Sequence, residues 1–367
     1  MKSIVLLILA GASAHGQSAS TLNDAYQGIF RIGAALNPAQ FEERDARANP
    51  IVAAKFNTIS PENVLKWGLV YPRADGYNFD PVDHYVAFGA KHQIFIVGHC
   101  LVWHSQTPRW IFEDSEGKPL SREGLLQRLH DHIRTVVGCS KGRIGGWDVV
   151  NEALNEDGSV RLAPCYRIIG EDYLVQAFEF AHEADPKAEL YYNDYSLENE
   201  AKRKGAVKLI RKLKAAGAPI TAIGLQDHNR MEWPTVKQED EAIEAYAALG
   251  IGVNITELDV DVLPRTTAQN TRDVSATAAG SAQSNSYQAG LPDEMQQKLA
   301  TRYAELFDVF VQHRKVIGRV TFWGVTDGDS WLNNFPTRRR PNYPLLFDRQ
   351  GKPKPAFDAV LAAAKSK

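Results

Sequence analysis

The sequence predicts an α/β protein folded as a single-domain (β/α)8 TIM barrel, and three observations carry that prediction. Short apolar runs of strand character alternate with amphipathic helical stretches along most of the 367 residues, the pattern of a parallel sheet covered by helices. Eight such runs occur, the strand number of the closed barrel. The glycine-rich phosphate turns G-x-G-x-x-G and G-x-x-x-x-G-K-[ST] are absent, although an open doubly wound sheet usually announces itself with one after its first strand.

In chain order, the strand candidates lie at residues 30–35, 56–60, 94–99, 146–151, 189–193, 220–226, 252–257 and 319–323. Each is rich in Ile, Val, Tyr, Phe or Thr, the side chains that suit a pleated surface. Helical periodicity fills the intervals at 123–137, 173–184, 201–216, 239–249 and 293–313, with apolar residues recurring three and four apart. One interval departs from the pattern. Residues 266–289 are rich in Ala, Ser, Thr, Gln, Asn and Gly and read as a long mobile loop after the seventh strand, on the face where barrel enzymes work. No other linker divides the chain.

The first residues read as an export signal. Lys2 supplies a positive start, residues 4–10 an apolar run, and Ala12-Ser13-Ala14 a small-residue cleavage site. Residues 1–14 are therefore expected to be a signal peptide and 15–367 the catalytic domain, secreted or periplasmic. No later stretch approaches the roughly 18 apolar residues of a membrane span. With 42 Lys+Arg against 44 Asp+Glu and a net charge of −2, nothing draws the protein to nucleic acid or an anionic membrane. Three cysteines, Cys100, Cys139 and Cys165, make no disulfide framework. Without H-E-x-x-H or C-x-x-C, no metal or cofactor is expected, and no serine nucleophile of the G-x-S-x-G kind is expected either.

Chemistry in such a barrel sits at the C-terminal strand ends. Strand two ends before Glu62, Asn63 and Lys66. Strand three ends at His99, ahead of Trp103. Strand four ends in Asn151-Glu152, strand five in Asn193-Asp194, strand six in Gln226-Asp227-His228, strand seven in Glu257-Leu258-Asp259, and strand eight at Trp323, with Trp331 beyond. Glu152 and Glu257 stand out. Each closes an apolar strand, and the two are three βα units apart, so they face one another across an eight-membered ring. A carboxyl pair so placed suits glycoside hydrolysis, in which one carboxyl protonates the leaving oxygen and the other acts as nucleophile or activates water.

Strand alternation puts Glu257 and Asp259 on one face, and His228 at the neighbouring strand end can lie between them in a chain Asp259–His228–Glu257. Asn151 and Glu152 cannot both face inward on a regular strand, so the strand must end or bulge there. Trp103, Trp323 and Trp331 offer planes on which sugar rings stack. Trp67 and Trp147 are divided between that role and the core.

The stretches SPENVLKW, GHCLVWHSQTP, WDVVNEALNEDG, YYNDY, IGLQDH, NITELDV and FWGVTDGDSWLNNF together resemble glycoside hydrolase family 10, the endo-β-1,4-xylanases, from about Ile32 to Phe357. The resemblance implies a retaining endo-1,4-β-xylanase that needs no cofactor, takes xylan and xylo-oligosaccharides, and works as a monomer. It implies Glu152 as acid/base and Glu257 as nucleophile. Asn151, His99, Gln226 and His228 would surround the cleaved sugar, Glu62, Asn63 and Lys66 would hold the next one, and Trp323 and Trp331 would wall the glycone side. Asp259 would support the nucleophile through His228. Cys100 and Asp227 depart from the residues usual in the family, and Asp227 is expected to add negative charge near the nucleophile. Two rivals remain: the same machinery acting on another β-1,4-glycan, and a catalytically inactive carbohydrate-binding protein.

Overall fold

The computed structural model describes residues 21–264, 286–336 and 338–365. Nine strands form one parallel sheet: β1 (Arg31–Leu36), β2 (Thr58–Pro61), β3 (Phe95–Trp103), β4 (Gly146–Asn151), β5 (Glu189–Asp194), β6 (Ala222–Leu225), β7 (His228–Arg230), β8 (Gly252–Asp261) and β9 (Ile317–Phe322). β1 pairs with both β2 and β9, and β6 pairs with β8, which closes the sheet into an eight-stave barrel. The eight predicted strands are all present. β3 and β8 run well beyond their predicted ends, and β7 was not expected. It is a three-residue strand that continues the line of β6 and pairs with the extended part of β8, His228 opposite Asp259.

Helices occupy the five predicted intervals and bury the faces their periodicity implies, and further helices, Asp80–Lys91 and Pro355–Ala363 among them, form outside those intervals. Helix Arg122–Cys139 starts at Ser121, whose side chain caps Gly124 N–H at 3.1 Å. It turns Leu125, Leu129, Ile133, Val136 and Val137 inward against helix Tyr173–Ala184. Each such burial contributes about 1.5–3 kcal/mol, and Leu129→Ala in this contact costs about 2–5 kcal/mol. Trp147 is held in the core, 1% exposed. A Cβ on Gly98 of the adjacent strand would fall 2.2 Å from its ring, so only glycine permits that approach. Trp67 is also core, stacked on His132 at 3.8 Å between ring centroids.

The barrel interior holds a polar group of side chains below the mouth. Arg319 lies 3.7 Å from Asp148, and the other Asp148 oxygen meets His99 Nδ1 at 2.9 Å. His99 is thereby aimed upward from the barrel axis. The signal peptide proposed for residues 1–14 and most of the 266–289 loop lie outside the described residues; only 286–289, a turn, are described. Cys100, Cys139 and Cys165 are free thiols, the first and last buried. Among the described residues no helix is long and apolar enough to cross a membrane.

Candidate active site

The C-terminal strand ends surround a pocket with a cavity volume of about 150 Å³. Glu152 and Glu257 both line it, as do Glu62, Asn63, Lys66, His99, Trp103, Asn151, Gln226, His228, Trp323 and Trp331. Asp259 lies behind it, on His228.

The sequence required β4 to end or bulge for Asn151 and Glu152 to share the site, and it does both. The register against β5 shifts between Asp148 and Val150, so Asp148 faces the barrel interior and Asn151, three residues on, still reaches the pocket. The strand then stops at Asn151, and Glu152 takes a left-handed φ of 57°. A non-glycine residue in that region is strained. Here it is held by Glu152 N–H donating to the Asn193 carbonyl at 2.8 Å and by Arg161 Nε donating to the Glu152 carbonyl at 3.2 Å.

Around the Glu152 carboxyl, Trp103 Nε1 donates to Oε2 at 2.8 Å, while Gln226 Nε2 and Asn151 Nδ2 donate to Oε1 at 3.1 and 3.3 Å. Burial nevertheless pushes its pKa above the ordinary value. The charge of Asp194 adds to that, and the Gln226 and Trp103 bonds only partly oppose it.

Glu257 is equally buried, yet its pKa falls below the ordinary value. Burial alone would raise it, but the His228 hydrogen bond, the imidazoles of His99 and His228, and the Asn193 amide outweigh burial. His228 Nε2 lies 3.2 Å from Glu257 Oε2, and Asn193 Nδ2 donates to Oε1 at 2.8 Å. On the other side of the ring, His228 Nδ1 is 3.2 Å from Asp259 Oδ2. That separation is within the reach the chain Asp259–His228–Glu257 requires, although the contact is an ion pair short of aligned hydrogen-bond geometry; Asp259 Oδ2 also accepts from Trp331 Nε1 at 2.7 Å. Burial would lower His228, but the carboxylates of Asp259 and Glu257 raise it to about 9. The ring is a cation between two anions.

The remaining predicted residues form the pocket's flanks. Lys66 donates to Asn63 Oδ1 at 3.0 Å and sits 4.9 Å from the centre of the Trp103 ring. Burial raises the Glu62 carboxyl despite the Lys66 charge. Trp323 meets His99 edge-on at 5.4 Å, and Trp331 stacks on Phe335 at 4.6 Å.

Asn193, noted at the end of strand five without a role, touches Glu257 and, at 2.9 Å, Asn151 Oδ1. One lining residue was missed. Gln106 lines the pocket from a loop with no periodicity to mark it. One expectation is corrected. Asp227 does not face the nucleophile; it is absent from the pocket lining and turns outward among other acids. The pentapeptide Gly138-Cys139-Ser140-Lys141-Gly142 does match G-x-S-x-G. It leads from a helix end toward the start of β4, the reverse of the strand-to-helix elbow that exposes a serine nucleophile, and Ser140 is buried.

A closed parallel barrel with two buried carboxyls of opposed character at its C-terminal mouth, flanked by indoles and amides, defines the class of barrel glycosidases. The model of glycosyl hydrolase family 10 matches residues 21–363. The endo-1,4-β-xylanase A of Xylanibacter ruminicola is 41% identical over 97% of this chain and 96% of its own length. The endo-1,4-β-xylanase B of Paenibacillus barcinonensis is 42% identical over 93% and 97%. A solved structure of a GH10 endoxylanase retrieved from a sugarcane soil metagenome superposes with a TM-score of 0.90 at 44% identity, covering 93% of this chain and 99% of that one. The chain belongs to glycosyl hydrolase family 10.

Proposed function

We propose that this protein is a retaining endo-1,4-β-xylanase in which Glu257 is the nucleophile and Glu152 the acid/base. The observation that carries the assignment is the opposite displacement of two buried carboxyls in one pocket, Glu152 upward and Glu257 downward. Acid and base roles are separated in that way by environment.

Glu257, ionised, attacks the anomeric carbon as Glu152 gives its proton to the departing glycosidic oxygen. The C–O bond to the leaving sugar breaks and a glycosyl ester to Glu257 forms. Glu152, now a carboxylate, takes a proton from water, which attacks the same carbon and frees Glu257. Asn151 and Gln226 hold the Glu152 carboxyl in place, while His228 and Asn193 keep charge on Glu257. Xylan and xylo-oligosaccharides are the substrates, and the working form is a monomer exported by the signal at residues 1–14.

Reducing-sugar release from xylan, compared with carboxymethyl cellulose, tests the substrate. Retained anomeric configuration by NMR and fluoro-sugar labelling of Glu257 test the mechanism. An inverted product or a label on another residue overturns it. Cellulose as the better substrate would move the reading to another β-1,4-glycan, and no sugar release at all would leave a carbohydrate-binding protein.

A further inference from the structure

Asp227 occupies the turn between Gln226 and His228, and those two neighbours each hold one carboxyl of the pocket. Gln226 Nε2 donates to Glu152 at 3.1 Å, and His228 Nε2 meets Glu257 at 3.2 Å. Asp227 itself has a left-handed φ of 54°, and its carbonyl accepts from Asp259 N–H at 3.2 Å. That bond ties the turn to β8 beside the nucleophile.

The Asp227 side chain leaves the pocket and enters the wall between barrel and helices. There its carboxyl joins those of Glu198, on the connection after β5, and Glu239, on helix Val236–Ala247, with one oxygen of each within 4.8 Å of the others. All three residues are buried, Asp227 and Glu198 at 1% and Glu239 at 0% exposure. Among the described residues, no N–H or hydroxyl donates to either Asp227 oxygen or to either Glu239 oxygen. Arg302, on helix Asp293–Gln312, is the cation that acts on both Asp227 and Glu239. Its guanidinium is already engaged with the carbonyls of Arg230 and Pro234 and with Glu305. Further out, Tyr246 donates to the Leu197 carbonyl and Arg203 pairs with Glu241. One shared guanidinium cannot balance three buried carboxylates, so protons must. Burial pushes Asp227 well above the ordinary range, and the charges of Glu239 and Glu198 push it further; burial and then Glu198 do the same to Glu239.

We propose that Asp227 is a positioning residue for both catalytic carboxyls: a neutral carboxylic acid that donates into the Glu198–Glu239 pair and so anchors the left-handed turn aiming Gln226 at Glu152 and His228 at Glu257. The catalytic part of this rests on the roles assigned above to Glu152 and Glu257; the protonation state does not.

Two variants test it. Glycine adopts the left-handed conformation freely and asparagine tolerates it, so neither replacement is penalised by the backbone. Asp227→Gly removes the anchor and is expected to lower kcat about 10–100-fold, as loss of a supporting group does, and to move both limbs of the pH–rate profile. Asp227→Asn restores a neutral donor and is expected to recover most of kcat and the wild-type profile at neutral pH. Infrared difference spectra of wild type minus Asp227→Asn at neutral pH should show the carbonyl stretch of a protonated acid, read independently of activity.

An unchanged kcat and profile in Asp227→Gly overturns the positioning role, and absence of the acid band overturns the neutral state. An Asn variant as impaired as the Gly variant shows that the anion is required and also overturns it. So does a stoichiometric divalent cation, found by elemental analysis, whose chelation lowers Tm. Should the glycine variant fail to fold, the Asn variant's spectrum and profile still decide. Should the functional reading fail, the infrared result stands by itself.

Discussion

Glu152, just past the end of β4, and Glu257, within β8, present the same side chain to the same pocket, and their surroundings treat it in opposite ways. At β4, Glu152 receives only neutral donors (an indole and two amides) and has the Asp194 charge behind it. At β8, Glu257 receives an amide and an imidazolium that is itself held by Asp259. Both are buried to the same degree, at 5% exposure, so desolvation does not distinguish them. The sign of the nearest charge does. In the roles proposed for them, an acid that must hold a proton and a nucleophile that must lose one are made from one residue type by what stands beside it.

The largest way to break this comparison is to remove the proposed nucleophile. Glu257→Ala is expected to abolish xylan hydrolysis with circular dichroism and Tm preserved, because the ester intermediate cannot form. Next comes the acid. Glu152→Ala should cost about 10²–10⁴-fold on xylan, the range for general acid–base groups. The loss should be far smaller on aryl glycosides whose leaving groups need no proton, and azide should restore turnover. Equal losses on both substrate types would remove Glu152 from the role.

His228→Asn sharpens the contrast. It should cost about 10–100-fold and move the acid limb of the pH–rate profile upward, since Glu257 loses its hydrogen-bonded cation. Stability offers a second readout. The folded-state pKa of His228 is raised from 6.5 to about 9. Its contribution is therefore fully present below about pH 6.5 and is lost as pH rises through about 9. Urea titrations across that window should show a decline in wild type that is diminished in His228→Asn.

The smallest effect is expected at the back of Glu152. Asp194 pairs with the fully buried Lys202 at 2.8 Å. Replacing Asp194 alone would strand that cation at a cost of about 3–5 kcal/mol, so the pair is replaced together. Asp194→Asn with Lys202→Met should move the basic limb to lower pH, because the second cause of the raised Glu152 pKa is gone. An unmoved limb would leave burial as the whole explanation.

Much of this was legible in the sequence because barrels are built from local patterns. Alternating strand and helix periodicity located eight staves, and the rule that barrel chemistry sits at C-terminal strand ends turned a list of positions into a pocket that the coordinates then assembled. Strand parity placed Asp259 with Glu257, and the demand that β4 end or bulge at Asn151 was met by both devices. Asn193 was noted at the end of strand five but given no role, because an asparagine at a strand end has no pattern of its own; its importance comes from reaching Glu257, 64 residues away. Gln106 sits in an irregular loop, where periodicity is silent.

By itself, then, the order of residues determined which elements form, which carboxyls the fourth and seventh staves carry to the mouth, and the family to which their motifs belong. Each of these depends on neighbours within a few positions, or on side-chain types at fixed strand ends. What only the tertiary structure decided is the electrical character of those carboxyls and of their neighbours. Asp227 adjoins His228 in the chain, yet it is turned out of the pocket by a left-handed turn and set among Glu198 and Glu239. Trp331 shares Asp259 with His228 across 72 residues. Charge and desolvation act through space, within a few ångströms, and only closure of the barrel brings those groups to that distance.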